Sequence, residues 1–430
     1  MTVVAILLLV VFTVLMLFNV PIAIAMGTAC LVALFAIGGE PAELIARRLV
    51  NGIDSFSLLA IPLFIFSGLL MGQGGMARRL IDLASALMGR LPNGLAYVNT
   101  LACMLFGSIS GSAAAAVSSI GSSIIPEMER KGYDRAYSTA LTTSSSVCGL
   151  IIPPSNIMIV YAVACGNVSI AALFLAGILP GILFGLCIMA ATFLFTKQKV
   201  RDTEGSFSWD AVEVAFGRAF LSLFLIVLII GGILLGIFTA TEAAAVAVAY
   251  SFILTMFVYR EIRWRALPGI LTQAAVTTSV VMLLIGICSA LSWIMATADI
   301  PQTVSALLLA ISENPIILLL LINLLLLIVG IFMDMTPAVL IFTPIFLPIT
   351  RMLGIDDIHF GIIMIANLCI GLCTPPVGTC LFVGCSVGKT TIMPVTMRMI
   401  PYAFAMLVAV LIITFWSDLS LAIPRWAGLI

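Results

Sequence analysis

The chain has 430 residues, 63% hydrophobic and 9% charged, with a mean hydropathy of +1.28, whereas a soluble domain is about 45–50% apolar and about 25% charged. Its 19 Lys and Arg balance 19 Asp and Glu, which argues against a nucleic-acid partner. Ten cysteines scattered through apolar segments, one His and no CxxC pattern argue against a zinc site; the thiols read as small packing residues.

The N-terminal run MTVVAILLLVVFTVLML lacks a basic region ahead of it and reads as a retained helix rather than a cleaved signal. Spans at 2–18 and 21–37 are parted by Asn19 and Pro21. An amphipathic stretch with Arg47 and Arg48 follows, then a span at 57–72 and an arm with Arg78, Arg79 and Arg90. Two short apolar legs, 95–107 and 113–127, form a hairpin (95–127) around the polar tip SISGS. Each leg is too short to cross a hydrocarbon core of about 30 Å comfortably. The pair therefore reads as re-entrant and buried in protein, because lipid would leave the backbone of its tip unpaired. A long helix at 135–165 is broken at Pro153 and Pro154, and a further span runs 169–196.

The polar segment 201–213 is the linker between a first half, 1–200, and a second, 214–430. The second half repeats the order. It has spans at 219–237 and 241–259, an arm with Arg260, Arg263 and Arg265, and a span at 270–297. A hairpin at 315–350 has legs 315–331 and 337–350 around the tip FMDMT. A broken helix at 358–387 and a last span at 396–417 complete it.

The repetition holds register. Pro126, Gly132, Asp134, Gly149, Leu150, Pro153 and Pro154 recur 222 residues later as Pro348, Gly354, Asp356, Gly371, Leu372, Pro375 and Pro376. Apolar segments broken by Gly and Pro at corresponding places in two halves point to the binding site of a secondary transporter. Five crossings per half is an odd number, so the second half enters the membrane upside down. The fold class is therefore an all-α polytopic membrane protein built from two inverted repeats. Threading alternate sides leaves only Arg47, Arg48, Arg351 and Arg425 of the 19 cations on one face. The positive-inside rule makes that face the outer one, with both termini on it. Hairpin one then opens from the cytoplasm and hairpin two from outside. Counting a hairpin as two full crossings would not change the bias, so charge supports the alternation and not the re-entrance.

Two constellations carry chemistry. The first joins Gly107, Ser108, Ser110, Gly111 and Ser112 at the tip to Pro153, Pro154, Ser155 and Asn156 at the break. Proline has no N–H and its ring clashes with the preceding turn, so carbonyls near a break lose their partners. With hydroxyls and an amide oxygen they make a hard oxygen set suited to a desolvated alkali cation, while half-helix N-termini favour an anion. Close helix packing alone is the competing reading of the Ser and Gly; the matching PPSN break favours binding. The second constellation joins Gly330, Asp334 and Thr336 to Thr374, Pro375, Pro376, Gly378 and Thr379. An acid at membrane depth is costly unless paired or solvated. Cation ligation by Asp334 is the preferred reading, beside proton coupling and a solvated cap of the next half-helix.

No Arg or Lys lies inside a predicted span away from its ends. A carboxylate substrate would thus be held by neutral groups and bound cations, here Ser110, Ser112, Ser145, Ser155, Asn156, Thr374 and Thr379. The run Thr142–Ser146 either lines the site or packs against the hairpin. Glu242 reads as a helix cap, His359 as a bland residue near the outer interface, and Trp209, Trp264, Trp416 and Trp426 as interfacial anchors.

Through GSISGS, IGSSIIPEMERKGYDRAYSTALTTSSS, LIIPPSN and GLCTPPVGTCLFV, the chain resembles the large membrane subunit of the TRAP (tripartite ATP-independent periplasmic) transporters over essentially its whole length. That family's fold is similar to the sodium-coupled divalent-anion symporters. The resemblance implies an elevator in which hairpins and broken helices carry the substrate past a scaffold, with Na+ as coupling ion. It also implies a small four-helix membrane subunit, expected as a separate chain because residue 1 already starts the first repeat. A soluble periplasmic protein would deliver an organic acid (a C4-dicarboxylate, sialic acid or another sugar acid) to the bacterial inner membrane. Ala116 stands where members often carry an acid, so the first site would rest on hydroxyls and carbonyls. An autonomous symporter of the same fold would need no binding protein. An intramembrane serine protease would need a His beside the tip serine, an aspartyl one a second acid facing Asp334, and a channel no buried mobile hairpin.

Overall fold

The computed structural model describes residues 2–18, 20–37, 41–89, 91–195, 209–312 and 314–430. Every regular element among them is helical. The chain opens with α1 (Thr2–Leu17), α2 (Ile22–Ile37) and α3 (Pro41–Ile53); a 3₁₀ turn then leads into α4 (Ala60–Gln73), followed by α5 (Met76–Met88). The first hairpin is α6 (Gly94–Ser110) and α7 (Ala113–Arg130). The first broken helix is α8 (Arg135–Ser146), α9 (Cys148–Ile151) and α10 (Asn156–Cys165), and α11 (Ile170–Phe195) closes this half.

The second half begins with α12 (Trp209–Leu234), α13 (Ala240–Ile253) running into a π-helical turn, α14 (Leu267–Thr297) and α15 (Ile300–Ile311). The second hairpin is α16 (Pro315–Phe332) and α17 (Met335–Met352). Its broken helix is α18 (Asp357–Gly371) and α19 (Thr379–Gly388), followed by α20 (Ile392–Phe415) and α21 (Ser417–Trp426). Eight helices among the described residues are long and apolar enough to cross a membrane, and α8–α10, bent by 47° at its break, adds a ninth.

Local chemistry sets the ends. Asp134, Asn314 and Asp356 cap α8, α16 and α18 by accepting from a backbone N–H two residues on. Thr239 and Glu242 form a reciprocal capping box at α13, the role expected of Glu242.

Three expectations need correction. The last residues of the linker, 209–213, belong to α12; 201–208 lie outside the described residues, as do Asn19, Arg90, Lys197, Lys199 and Arg201. Arg260, Arg263 and Arg265 occupy a turn, not an arm; Arg260 has φ +55° and Glu261 is drawn 2.9 Å from Arg79. The helix that stands before the second hairpin, as α5 stands before the first, is α15. The legs of the first hairpin are longer than predicted: α6 and α7 have 17 and 18 residues, about 25–27 Å at 1.5 Å per residue, so length alone does not mark them as re-entrant.

Packing gathers the helices into two groups that meet where α4 and α5 lie on α6 and α14 on α17. In one, α14 lies on α2, α3 and α4, α13 on α4, and α12 on α13 and α5. Arg48 stacks 5.2 Å from the Trp293 ring to fasten α3 to α14. The other group contains both hairpins, both broken helices, α11, α20 and α21. It is cross-laced: α19 of the second broken helix packs on α7 and α8, and α10 of the first packs on α17.

Candidate functional site

Gly111 ends α6 in the left-handed region, φ +60°, and Ser112 caps α7 by accepting from Ala115 N–H at 3.3 Å. A Cβ on Gly111 would lie 3.3 Å from the Pro154 carbonyl oxygen and 3.5 Å from Asn156 N and Nδ2, so the tip touches the break. One turn earlier the backbones cross: a Cβ on Gly149 would meet Gly107 Cα at 2.2 Å, a contact only glycine permits. On its other side the tip meets α4 at Gly68, where a Cβ would sit 2.6 Å from the Ser110 carbonyl oxygen.

Pro153 and Pro154, joined by a cis peptide, and Ser155 are buried. Ser155 Oγ, Asn156 Oδ1 and Ser144 Oγ are buried without a hydrogen-bond partner, a state that costs about 1–3 kcal/mol per group. Ser108 Oγ donates to Leu105 O at 2.8 Å and Ser110 Oγ to Ser112 O at 3.4 Å. Their hydrogens are thereby engaged and their lone pairs remain available. Ala116 is fully buried.

The second tip is built alike, with a charge added. Asp334 starts α17 without a side-chain bond to that helix. Its Oδ1 instead accepts from Thr379 Oγ1 of α19 at 3.3 Å, across the break. A Cβ on Gly371 would lie 2.4 Å from the carbonyl carbon and oxygen of Gly330. Gly330, Asp334, Gly378 and Thr379 line one small void. Thr374 Oγ1 donates back to Gly371 O at 3.0 Å, and Thr336, half-buried in the first turn of α17, does not line the void. Pro375 and Pro376, also cis, are exposed where Pro153 and Pro154 are buried.

The Ser/Thr run before the first break is largely packing. Thr142 accepts from Asn99 Nδ2 at 2.7 Å, and Ser145 Oγ lies 3.0 Å from Thr100 Oγ1, far down α6 from the tip. Thr143 faces α19, its Oγ1 2.2 Å from where a Cβ on Gly384 would be. Of this run only Ser144 offers an unengaged oxygen.

A polar rung in the second half escaped the sequence reading. Asn367 Nδ2 of α18 donates to Asn323 Oδ1 of α16, and Asn323 Nδ2 donates to Thr414 Oγ1 of α20 at 3.0 Å. Asn367 Oδ1 is buried without a partner. Asn323 stands seven residues before Gly330 and Asn367 four before Gly371, as Thr100 and Ser145 stand before Gly107 and Gly149. Each hairpin is thus held to its broken helix by a polar rung and a glycine crossing. An Asn alone in the leg LLLLINLLLLIVG was the available signal.

His359 is 4% exposed, buried within the protein with Nδ1 unpartnered. Trp209, Trp264, Trp416 and Trp426 are exposed. Nine cysteines are buried and Cys187 half-buried; Cys369 and Cys373 donate to Val147 O and Thr143 O at 3.6 and 3.5 Å, tying α18 to α8.

The model of one protein family, described as tripartite ATP-independent periplasmic transporter, DctM component, matches residues 9–419. The chain is 48% identical over 415 residues to "Uncharacterized protein YgiK" of Salmonella typhimurium, covering 96% of this chain and 95% of that one. It is 40% identical over 385 residues to the C4-dicarboxylate TRAP transporter large permease protein DctM of Pseudomonas aeruginosa, covering 90% of each. The crystal structure of the Alcanivorax borkumensis YdaH transporter aligns with a TM-score of 0.57 over 91% of this chain and 90% of that one, at 16% identity, a likeness of fold alone. The relatives with a named role are transporter permeases, a family that is not enzymatic, and this multi-pass membrane protein belongs with them to the DctM family, the large permease subunits of TRAP transporters.

Proposed function

We propose that the chain imports an organic acid by sodium-coupled secondary-active transport through an elevator motion. The acid is a C4-dicarboxylate, a sialic acid or another sugar acid. A periplasmic binding protein delivers it, and a small four-helix subunit completes the permease in the bacterial inner membrane, both termini facing the periplasm. The carrying observation is the pair of helix breaks, each touched by a hairpin tip, the first with buried unengaged oxygens and the second with the carboxylate of Asp334.

Sodium is cargo here. At the first break Ser155 Oγ and Asn156 Oδ1 lack partners beside the Pro154 carbonyl and Gly111, a neutral set of hard oxygens fit for an alkali cation. At the second, Asp334 supplies a charge, with Thr379 and Thr374 near the break. The acid meets helix N-termini. Ser155, Asp334 and Gly378 start α10, α17 and α19 without a side-chain cap bond, so backbone N–H groups remain for a carboxylate. The recurrence of rung and crossing in both halves supports a duplicated, inverted architecture. The packing of α11, α20 and α21 on the broken helices supports their travelling with the substrate.

The test is uptake of labelled organic acids into proteoliposomes holding this chain and its small subunit, with and without a sodium gradient and the binding protein. Uptake that needs both is expected. Uptake without the binding protein would make the chain an autonomous symporter, and indifference to sodium would refute the coupling.

A further inference from the structure

The starts of the two broken helices are fastened by the same construction with its charges exchanged. At one, Glu129 near the end of α7 pairs with Arg135, the first residue of α8, at 3.1 Å. The residues 222 positions later are Arg351 and Asp357. Arg351, near the end of α17, grips Asp357, the first residue of α18, through Nε at 3.0 and 3.2 Å and Nη2 at 2.7 Å. Each pair ties a broken helix to the hairpin before it. The bidentate geometry of the second is the strong form of such a pair.

Arg135 and Asp357 also reach into the opposite half. Arg135 Nε donates to the carbonyl of Gly388, the last residue of α19, at 2.5 Å. A cation there meets the negative end of that half-helix. Asp357 receives the reciprocal contacts from α10: Tyr161 Oη donates to its carbonyl at 2.6 Å and Cys165 Sγ to its Oδ2 at 3.7 Å. Here the acid would oppose a helix C-terminus, and the donors Tyr161, Cys165 and Arg351 compensate. The close approach is built in at both places. A Cβ on Gly361, one turn into α18, would meet the buried Tyr161 ring at 2.4 Å, and one on Gly388 would meet Thr139 Oγ1 at 2.2 Å. Asp134, beside Arg135, is further held by Arg398 of α20 at 3.1 Å.

We propose that Arg135 and Asp357 are reciprocal positioning residues. Each ties together one hairpin, the broken helix after it and the far half of the other broken helix, so that both tips keep their place over both breaks while the acid is carried. Neither touches the cargo; they act through α10 and α19, whose opposite ends are the breaks at Asn156 and Thr379. A surface ion pair would contribute little by itself. What distinguishes these is that one side chain or its carbonyl joins three elements from both halves, and that the arrangement occurs twice. The inference rests on the reading of hairpins and broken helices as one carried body.

The experiment compares Asp357→Asn, Arg135→Gln and the milder Tyr161→Phe with the unaltered chain, in complex with its small subunit, by two measurements. Hydrogen exchange in nanodiscs should rise several-fold at the tips (108–112 and 330–336) and at both breaks, while α1–α4 stay unchanged. In proteoliposomes the sodium concentration for half-maximal uptake should rise roughly three- to tenfold at near-normal maximal rate per folded protein. Exchange and half-saturation both unchanged in all three variants would overturn the proposal, as would a loss confined to the amount of folded protein. Should uptake by the unaltered chain ignore sodium, the proposed function fails instead, and exchange alone judges the positioning role of Arg135 and Asp357.

Discussion

The substitution Gly371→Ala probes the geometry on which the second site depends. Its new Cβ would fall 2.4 Å from the carbonyl carbon and oxygen of Gly330, where ordinary contact begins near 3.4 Å. Both opposing atoms are backbone and cannot rotate away, so α16 and α18 must separate by about 1 Å. Overpacking of this kind costs about 1–3 kcal/mol. The functional cost is larger, because the displaced leg leads directly into Asp334, whose bond to Thr379 is already 3.3 Å long. A misplacement of about 1 Å at a binding constellation lowers turnover on the order of 10²-fold. Gly330→Ala should be mild, since its Cβ meets Gly371 Cα at 3.2 Å, and Gly149→Ala severe, at 2.2 Å from Gly107 Cα. Gly217→Ala, in α12 with nothing within 4 Å, should stabilise its helix by about 0.5–1 kcal/mol. Unfolding midpoints in detergent and initial uptake rates read the series. If Gly371→Ala transports as well as Gly217→Ala, the glycine crossing does not set the site.

Three further outcomes are expected. Asp334→Asn retains an acceptor for Thr379 but removes the charge; sodium-dependent uptake should collapse with folding intact, and normal sodium dependence would exclude Asp334 from the cation site. Ser112→Ala with Asn156→Ala removes two oxygens from the first tip and break and should weaken uptake; unchanged uptake would reduce hairpin one to packing. Asn323→Leu strands the amide of Asn367 and should cost about 1–3 kcal/mol, whereas the double change with Asn367→Leu should recover most of it, which a double-mutant cycle of unfolding free energies would read.

The breaks and tips were legible because their chemistry is local. Proline at 153, 154, 375 and 376 interrupts a helix wherever the chain goes, and a register shared over 222 residues needs no tertiary knowledge. What depended on partners distant in sequence was not legible. Nothing in the run 142–146 says that Thr142 and Ser145 face α6 while Thr143 faces α19. The rung between Asn323 and Asn367 needs a fold that brings residues 44 apart together. The segment 260–265 looked like an arm because arginines at an interface suit an amphipathic helix, but Glu261 is committed to Arg79 and Arg260 to a left-handed turn. The legs of the first hairpin were drawn short because the polar tip and the charged run after Pro126 read as loop, whereas α6 stays helical to Ser110 and α7 to Arg130.

The two breaks differ in charge, and that difference carries a last expectation under the proposed function. Ser112 and Ala116 leave the first tip without an acid, whereas Asp334 occupies the position equivalent to Ser112. A cation at the second site finds its counter-charge in the protein and can bind before substrate. A cation at the first site finds only dipoles, from Ser155, Asn156 and carbonyls around the break, and a carboxylate nearby would supply the missing charge. Sodium and acid then bind the first site with positive coupling, reciprocal by thermodynamic necessity. Sodium titrated calorimetrically into the purified permease should fill one site without the acid and a further one with it. In Asp334→Asn the acid-independent site should vanish first. Equal sodium stoichiometry with and without acid would show that the coupling is not built on this asymmetry.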